Sequence, residues 1–239
     1  MADAFLHHRP AGVHVLLSQL NIRLSSDLFK SYLNQLPQDF QSEVLKIRNW
    51  RDAQARLVGR LLLHLGLTKY YELKSTVLND IRYTEYNRPY IPGAGIDFNL
   101  SHSGSYVACC ITDHACVGVD IEEVKPIDVA EFQDQLTKYE WTDVRTSRNQ
   151  PMKFYSYWTK KEAVMKAEGF GLGVIPLQQI TIDESEDMAI LFSKRWFLHK
   201  IPLERDYCGY LATDKMLTKN QIACELITFE EIDNKIHML

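Results

Sequence analysis

The segment "PMKFYSYWTKKEAVMKAEG" (151–169) constrains the fold more than any other stretch of the chain. Pro151 stands near its first turn and Gly169 follows its end, the asymmetry expected of a helix. Extended stretches flank it: "CVGVDIEEV" (116–124) before, then "QITIDE", "MAILFSKRWFLHKI", "CGYLAT" and "QIACELITF" after. A helix set among successive strands points to an α+β class with antiparallel sheets. Upstream, "VHVLLSQL" (13–20) predicts a first strand. Residues 26–66 are dominated by helical spacing, with Ala55, Val58, Leu62 and Leu65 recurring at helical intervals. After the loop "NRPYIPGAG" (87–95), "IDFNLSHSGSYVACCIT" predicts strand, tight turn, strand. A further helix is expected from Val129 to about Trp141. The order divides the chain into two α+β halves, 1–115 and 116–239.

A chain of 239 residues with 46% hydrophobic content can bury a substantial core. Its net charge of −4 argues against a non-specific nucleic-acid binder but leaves room for a local basic pocket. The most apolar run, "LVGRLLLHLGL", is interrupted by Arg60 and His64, so no membrane span is expected. The start, "MADAFLHHRPAGVHVLL", lacks a secretory pattern. Five cysteines (109, 110, 116, 208, 224) without a Cys-x-x-Cys pair suit free thiols in a reducing cytoplasm, with "VACCIT" a buried strand. His7, His8 and His14 read as scattered surface histidines.

"GVDIEEV" (118–124) crowds three acids onto an apolar strand. Asp120 and Glu122 are two residues apart, which in an extended chain puts both carboxylates on one face. Either a cation sits between them or both point into water. In the helix, Phe154, Trp158, Glu162 and Lys166 are spaced by four and form one stripe. On an exposed face Glu162 and Lys166 would be an ordinary ion pair worth a few tenths of a kcal/mol. The other reading brings Glu162 to Asp120 and Glu122; three carboxylates with substrate phosphates make the oxygen environment that Mg²⁺ favours.

"NLSHSG" (99–104) sets His102 between two serines. No G-x-S-x-G elbow exists, which argues against a serine hydrolase. Two readings stay open: a structural histidine in a turn, or a phosphate contact by Ser101, His102 and the turn's N–H groups, with Arg88 adding a cation. The glycines of "EGFGLGV" follow a helix instead of opening one, so they are no dinucleotide fingerprint. Walker and zinc-cluster patterns are absent from the sequence.

"GVDIE" followed by "WTKKEAVMK" resembles the paired G-x-D-x-E and W-x-x-K-E-x-x-x-K motifs of 4′-phosphopantetheinyl transferases. "NRPYI…DFNLSHSG" resembles an additional segment of the longer, Sfp-type members, and together the motifs span roughly residues 50–175. The resemblance implies a pseudo-two-fold monomer of two similar α+β subdomains, with coenzyme A and the metal in the cleft between them. It implies transfer of phosphopantetheine from coenzyme A to a serine of an apo acyl or peptidyl carrier protein, releasing adenosine 3′,5′-bisphosphate. Fatty-acid, polyketide, peptide-synthetase and lysine-pathway carriers are all open. By the same resemblance Asp120, Glu122 and Glu162 hold Mg²⁺, and Glu162 accepts the serine proton directly or through water. Lys166 sits by the pyrophosphate, while Lys161, Arg88, Ser101 and His102 contact the coenzyme. Glu140 matches a further acid that some members place near the metal. At Ala55 the chain departs from the pattern, since some members carry a phosphate-binding basic residue there; Arg51, Arg56, Lys46 and Arg48 are candidates to replace it.

Two rival classes are a metal-dependent phosphohydrolase and a non-catalytic carrier-binding protein. The first predicts phosphate or adenosine bisphosphate release from coenzyme A with no protein acceptor. The second predicts a missing motif acid, and none is missing.

Overall fold

In the computed structural model, which describes residues 12–171 and 173–236, strand β1 (Val13–Gln19) leads into three helices: α1 (Ser26–Leu33), α2 (Gln38–Leu45) and α3 (Trp50–Tyr71). A small ribbon pairs β2 (Arg82–Tyr83) with β3 (Pro89–Tyr90). Then come β4 (Asp97–Ser103), β5 (Tyr106–Thr112) and β6 (Val117–Glu123), followed by α4 (Lys138–Thr146) and α5 (Gln150–Glu168). The remainder is β7 (Thr181–Asp183), β8 (Met188–Leu191), β9 (Lys194–Lys200), β10 (Tyr207–Thr213), β11 (Ile222–Leu226) and α6 (Phe229–Ile236). The class is α+β, as the spacing predicts.

Two sheets organise these elements, in the orders β11-β1-β5-β4 and β6-β10-β9-β8-β7. Helix α3 covers the first sheet, packing Leu57, Leu61 and Leu62 with Phe98, Val107 and Ile111. Helix α5 covers the second, packing Tyr157 and Val164 with Trp196 and Leu198. A third cluster joins the sheets, in which Val15 and Cys110 meet Val117, Val119 and Ile121. The period of two along β6 therefore turns its valines and Ile121 to this seam, and Gly118, Asp120 and Glu122 the other way. Gly118 has a steric reason: a Cβ there would collide with the backbone of Ala163 and Ala167, so its absence lets α5 lie against β6.

The edges of the sheets meet at β4 and β6 without forming a backbone ladder. Instead, alternate β4 side chains accept alternate β6 N–H groups. Asp97 Oδ2 takes Val117 N–H (2.7 Å), Asn99 Oδ1 takes Val119 N–H (3.1 Å), Ser101 Oγ takes Ile121 N–H (3.3 Å) and Ser103 Oγ takes Glu123 N–H (3.1 Å). Four edge donors are thereby satisfied by polar residues of matching period.

Several expectations change. The helix expected over 129–141 is a 3₁₀ segment (Val129–Gln135) followed by α4, because Thr137 and Glu140 form a reciprocal capping box that starts a new helix. "MAILFSKRWFLHKI" is a hairpin, turning at Phe192 and Ser193, which both have positive φ (49° and 66°). The tail of residues 116–239 returns to the first sheet, where β11 pairs in parallel with β1 and Ile232 joins the α3 core. His14 is buried and stacked on Tyr70 at 3.6 Å, not on the surface; His7 and His8 lie outside the described residues. Among the described residues no helix is long and apolar enough to cross a membrane.

Candidate active site

The stripe on α5 has two environments. Phe154 and Trp158 close over Phe132 of the 3₁₀ segment, with ring centroids 5.1 and 5.9 Å from it. One and two turns on, Glu162 and Lys166 face β6. Lys166 Nζ lies 2.6 Å from Asp120 Oδ1 and 3.0 Å from Ser101 Oγ, and Ser101 Oγ is 3.0 Å from Asp120 Oδ1. Glu122 Oε2 accepts from Ser103 Oγ at 2.7 Å. A cation does sit on one of the paired acids: Lys166 pairs with Asp120, while Glu122 takes the Ser103 hydroxyl.

One ammonium does not balance three carboxylates. Asp120 is 3% exposed and Glu162 4%, and Asp120 Oδ2 and Glu162 Oε1 are buried with no hydrogen-bond partner among the described residues. Burial, then the charge of Asp120, pushes the Glu162 pKa up to about 7, with Lys166 opposing and Glu122 adding. Burial also raises Asp120 against the pull of Lys166 and Ser101, and burial followed by the Asp120 charge raises Glu122. The donors are all oxygen and carry excess negative charge, which fits a hard divalent cation. Asp120 and Glu122 each give one oxygen to protein donors, and among the described residues no three ligand groups converge on one point.

The other expected residues separate. Ser101 is part of the cluster and also lines a cavity of about 720 Å³, at which His102 is exposed. Lys46 and Arg56 line this cavity too, whereas Arg51 lies over the Trp50 ring. Arg88 is committed to the scaffold: its guanidinium donates to Asp97 Oδ2 (2.7 Å), Val117 O (3.1 Å) and Lys166 O (2.9 Å). Lys161 is 0% exposed, 2.6 Å from Glu140 Oε2 and 3.0 Å from Leu177 O. Its burial lowers its pKa, with Glu140 opposing. Glu140 also accepts from Thr137 N and Ile182 N, so it ties α4 to α5 and the second sheet and stands apart from the acid cluster. The structure thus brings Asp120, Glu122, Glu162, Lys166 and Ser101 together and leaves Lys161, Glu140 and Arg88 in supporting contacts. Reading the sequence missed Ser103, Arg60 and Tyr83; the available signal for Arg60 was a charge inside the apolar run "LVGRLLLHLGL".

Residues 116–223 match the family model of the 4′-phosphopantetheinyl transferase superfamily, and residues 23–113 match that of the 4′-phosphopantetheinyl transferase N-terminal region. The chain is 30% identical over 169 residues to "4′-phosphopantetheinyl transferase Sfp" of Bacillus subtilis (strain 168), covering 69% of this chain and 73% of that protein. It belongs to the 4′-phosphopantetheinyl transferase family. A second relative, "4′-phosphopantetheinyl transferase gsp" of Aneurinibacillus migulanus, is 27% identical over 184 residues, 76% of either chain. A more distant one, "L-aminoadipate-semialdehyde dehydrogenase-phosphopantetheinyl transferase" of Xenopus laevis, is 30% identical over 152 residues, covering 56% of this chain and 49% of that protein. As a 4′-phosphopantetheinyl transferase, the chain is an enzyme of the class that its paired motifs implied.

Proposed function

We propose that this protein transfers the 4′-phosphopantetheine group of coenzyme A to a serine hydroxyl of an apo acyl or peptidyl carrier protein. The products are the holo carrier and adenosine 3′,5′-bisphosphate, and Mg²⁺ is required. The observation that carries the reading is the packing of Glu162 and Lys166 against Asp120 and Glu122, with two buried carboxylate oxygens left without partners among the described residues.

Asp120, Glu122 and Glu162 would hold the ion, at the junction of halves 1–115 and 116–239. When bound, Mg²⁺ neutralises charge that builds on the pyrophosphate oxygens. Lys166, a cation at the same place, orients the pyrophosphate. The serine oxygen forms a bond to the β-phosphorus while the bond from that phosphorus to the bridging oxygen breaks, and the leaving oxygen keeps its electron pair. Glu162 takes the serine proton directly or through water. Ser101 fixes the Asp120 carboxylate, and His102 reaches the coenzyme from the cavity rim. Lys161 and Arg88 act as positioning residues, holding α5 and β6. The protein acts as a cytoplasmic monomer in this reading.

Mass spectrometry of apo carrier proteins incubated with this protein, coenzyme A and Mg²⁺ tests the reaction. The expected result is a gain of one phosphopantetheine on a serine. Release of adenosine 3′,5′-bisphosphate with no gain on any carrier would instead mark a phosphohydrolase.

A further inference from the structure

Arg60 stands where a guanidinium is out of place. It lies on α3 between Gly59 and Leu61, in a run of buried residues, and is itself 5% exposed. Nη2 donates to the Tyr83 hydroxyl at 3.1 Å, and the Phe40 ring lies 4.7 Å from Cζ. Nη1 is buried with no hydrogen-bond partner among the described residues. Glu43, an acid that lines the same cavity, is paired with Arg56 at 2.9 Å. Burial pulls the Arg60 pKa down, with the Tyr83 contact opposing and Arg56 adding. A buried cation whose visible partners are a phenol and a ring is strongly unfavourable unless an anion joins it.

The cavity of about 720 Å³ supplies the place for that anion. Arg60, Arg56 and Lys46 line it together with Ser101, which carries the hydrogen bond to Asp120. The space therefore runs from the edge of the acid cluster to a cationic wall. A ligand seated at the acid cluster and filling this space presents an anion at its far end, away from the reacting phosphorus. Tyr83 and Phe40 hold the guanidinium fork in one orientation, as recognition of a phosphate requires. Arg56 and Lys46 are partly solvated, and Arg56 already has Glu43, so they add field with little discrimination.

We propose that Arg60 is the specificity-determining residue for a phosphomonoester on the nucleoside end of the donor. The inference rests on coenzyme A being that donor, and it assigns to Arg60 the contact that Ala55 cannot make. A buried donor left unpaired by a ligand lacking the phosphate penalises that ligand, so the protein should discriminate coenzyme A from 3′-dephospho-coenzyme A.

The test is titration calorimetry without carrier or metal, using adenosine 3′,5′-bisphosphate and adenosine 5′-monophosphate as probes. The wild type should bind the bisphosphate at least about ten-fold tighter than the monophosphate. Arg60→Met should bring the ratio close to one, and Arg60→Lys should restore part of it. Tyr83→Phe, which leaves the charge but frees the fork, should lower the ratio several-fold and serves should Arg60→Met fail to fold. A wild-type ratio near one, or a wild-type ratio retained by a folded Arg60→Met or by Tyr83→Phe, would overturn the proposal. These outcomes are separable from the transfer reaction. Carrier modification with an unchanged binding ratio would sink the Arg60 assignment alone. The expected ratios with no carrier modified would sink the transferase reading alone.

Discussion

Ser101 Oγ, on the edge of the first sheet, lies 3.0 Å from Asp120 Oδ1 on the edge of the second, while accepting the N–H of Ile121 at 3.3 Å. One hydroxyl thus joins the two sheets and aims a carboxylate of the site. Ser101→Ala leaves a buried N–H and a buried carboxylate oxygen each short of a contact, at a cost of about 1–3 kcal/mol. Turnover should fall together with stability. Ser103→Ala, which breaks the equivalent contacts to Glu122 and Glu123, should behave alike but more mildly, its site being partly solvated. Urea melts and transfer rates for both variants check this.

Glu162 makes the metal-free protein sensitive to pH. Its folded pKa of about 7 lies above the ordinary 4.5, so the folded state holds the proton more tightly than the unfolded one. The penalty for ionising it is absent below the unfolded value, and is fully present above the folded one. Stability should therefore fall as pH rises from about 4.5 to about 7, by up to about 3 kcal/mol for this group. Asp120 and Glu122, also raised, add in the same sense. Glu162→Gln should flatten much of the slope and melt later than wild type at pH 8 in chelator, while transfer collapses. Retention of wild-type turnover would make the acid structural.

Metal dependence is the outcome expected if the oxygen donor set holds a divalent cation. Activity should stop on chelation and return with Mg²⁺ or Mn²⁺. Ligands that bind only the folded state raise stability by roughly 2.7 kcal/mol at about 100 times their Kd. Thermal melts should show this gain for Mg²⁺ with coenzyme A in the wild type and its loss in Asp120→Asn. Lys166→Met should weaken coenzyme binding and also destabilise the metal-free protein, because it leaves Asp120 without its cation. Full activity after exhaustive chelation would remove the metal from the reaction.

Lys161 and Glu140 provide a control for position. Both are buried and paired at 2.6 Å, so removing either partner alone should cost about 3–5 kcal/mol. The double change Lys161→Met with Glu140→Leu should recover much of that. Were Lys161 a coenzyme contact, Lys161→Met would raise the coenzyme KM and leave the melt unchanged. Melts and KM values for the three variants decide between the two.

Local periodicity carried what the sequence by itself determined. Pro151 and Gly169 bound α5, alternation puts Asp120 and Glu122 on one face, and spacing by four puts Glu162 and Lys166 on one line. The paired motifs add the family. These features depend on residues close together in the chain, where backbone geometry alone fixes which side chains share a face. Partners of charges were decided only by the tertiary structure. Two lysines of one motif, five residues apart, look alike in the sequence; in the fold one reaches Asp120 on β6 and the other Glu140 on α4. Arg88 is likewise an open cation in the sequence, and Asp97 with two carbonyls claims it in the fold. Arg60 reads only as an interruption of an apolar run until packing surrounds it with Phe40 and Tyr83 at a cavity wall. The reason is that a charge's partner and its burial are set by segments distant in sequence, and no local pattern encodes which of several like charges those segments will enclose.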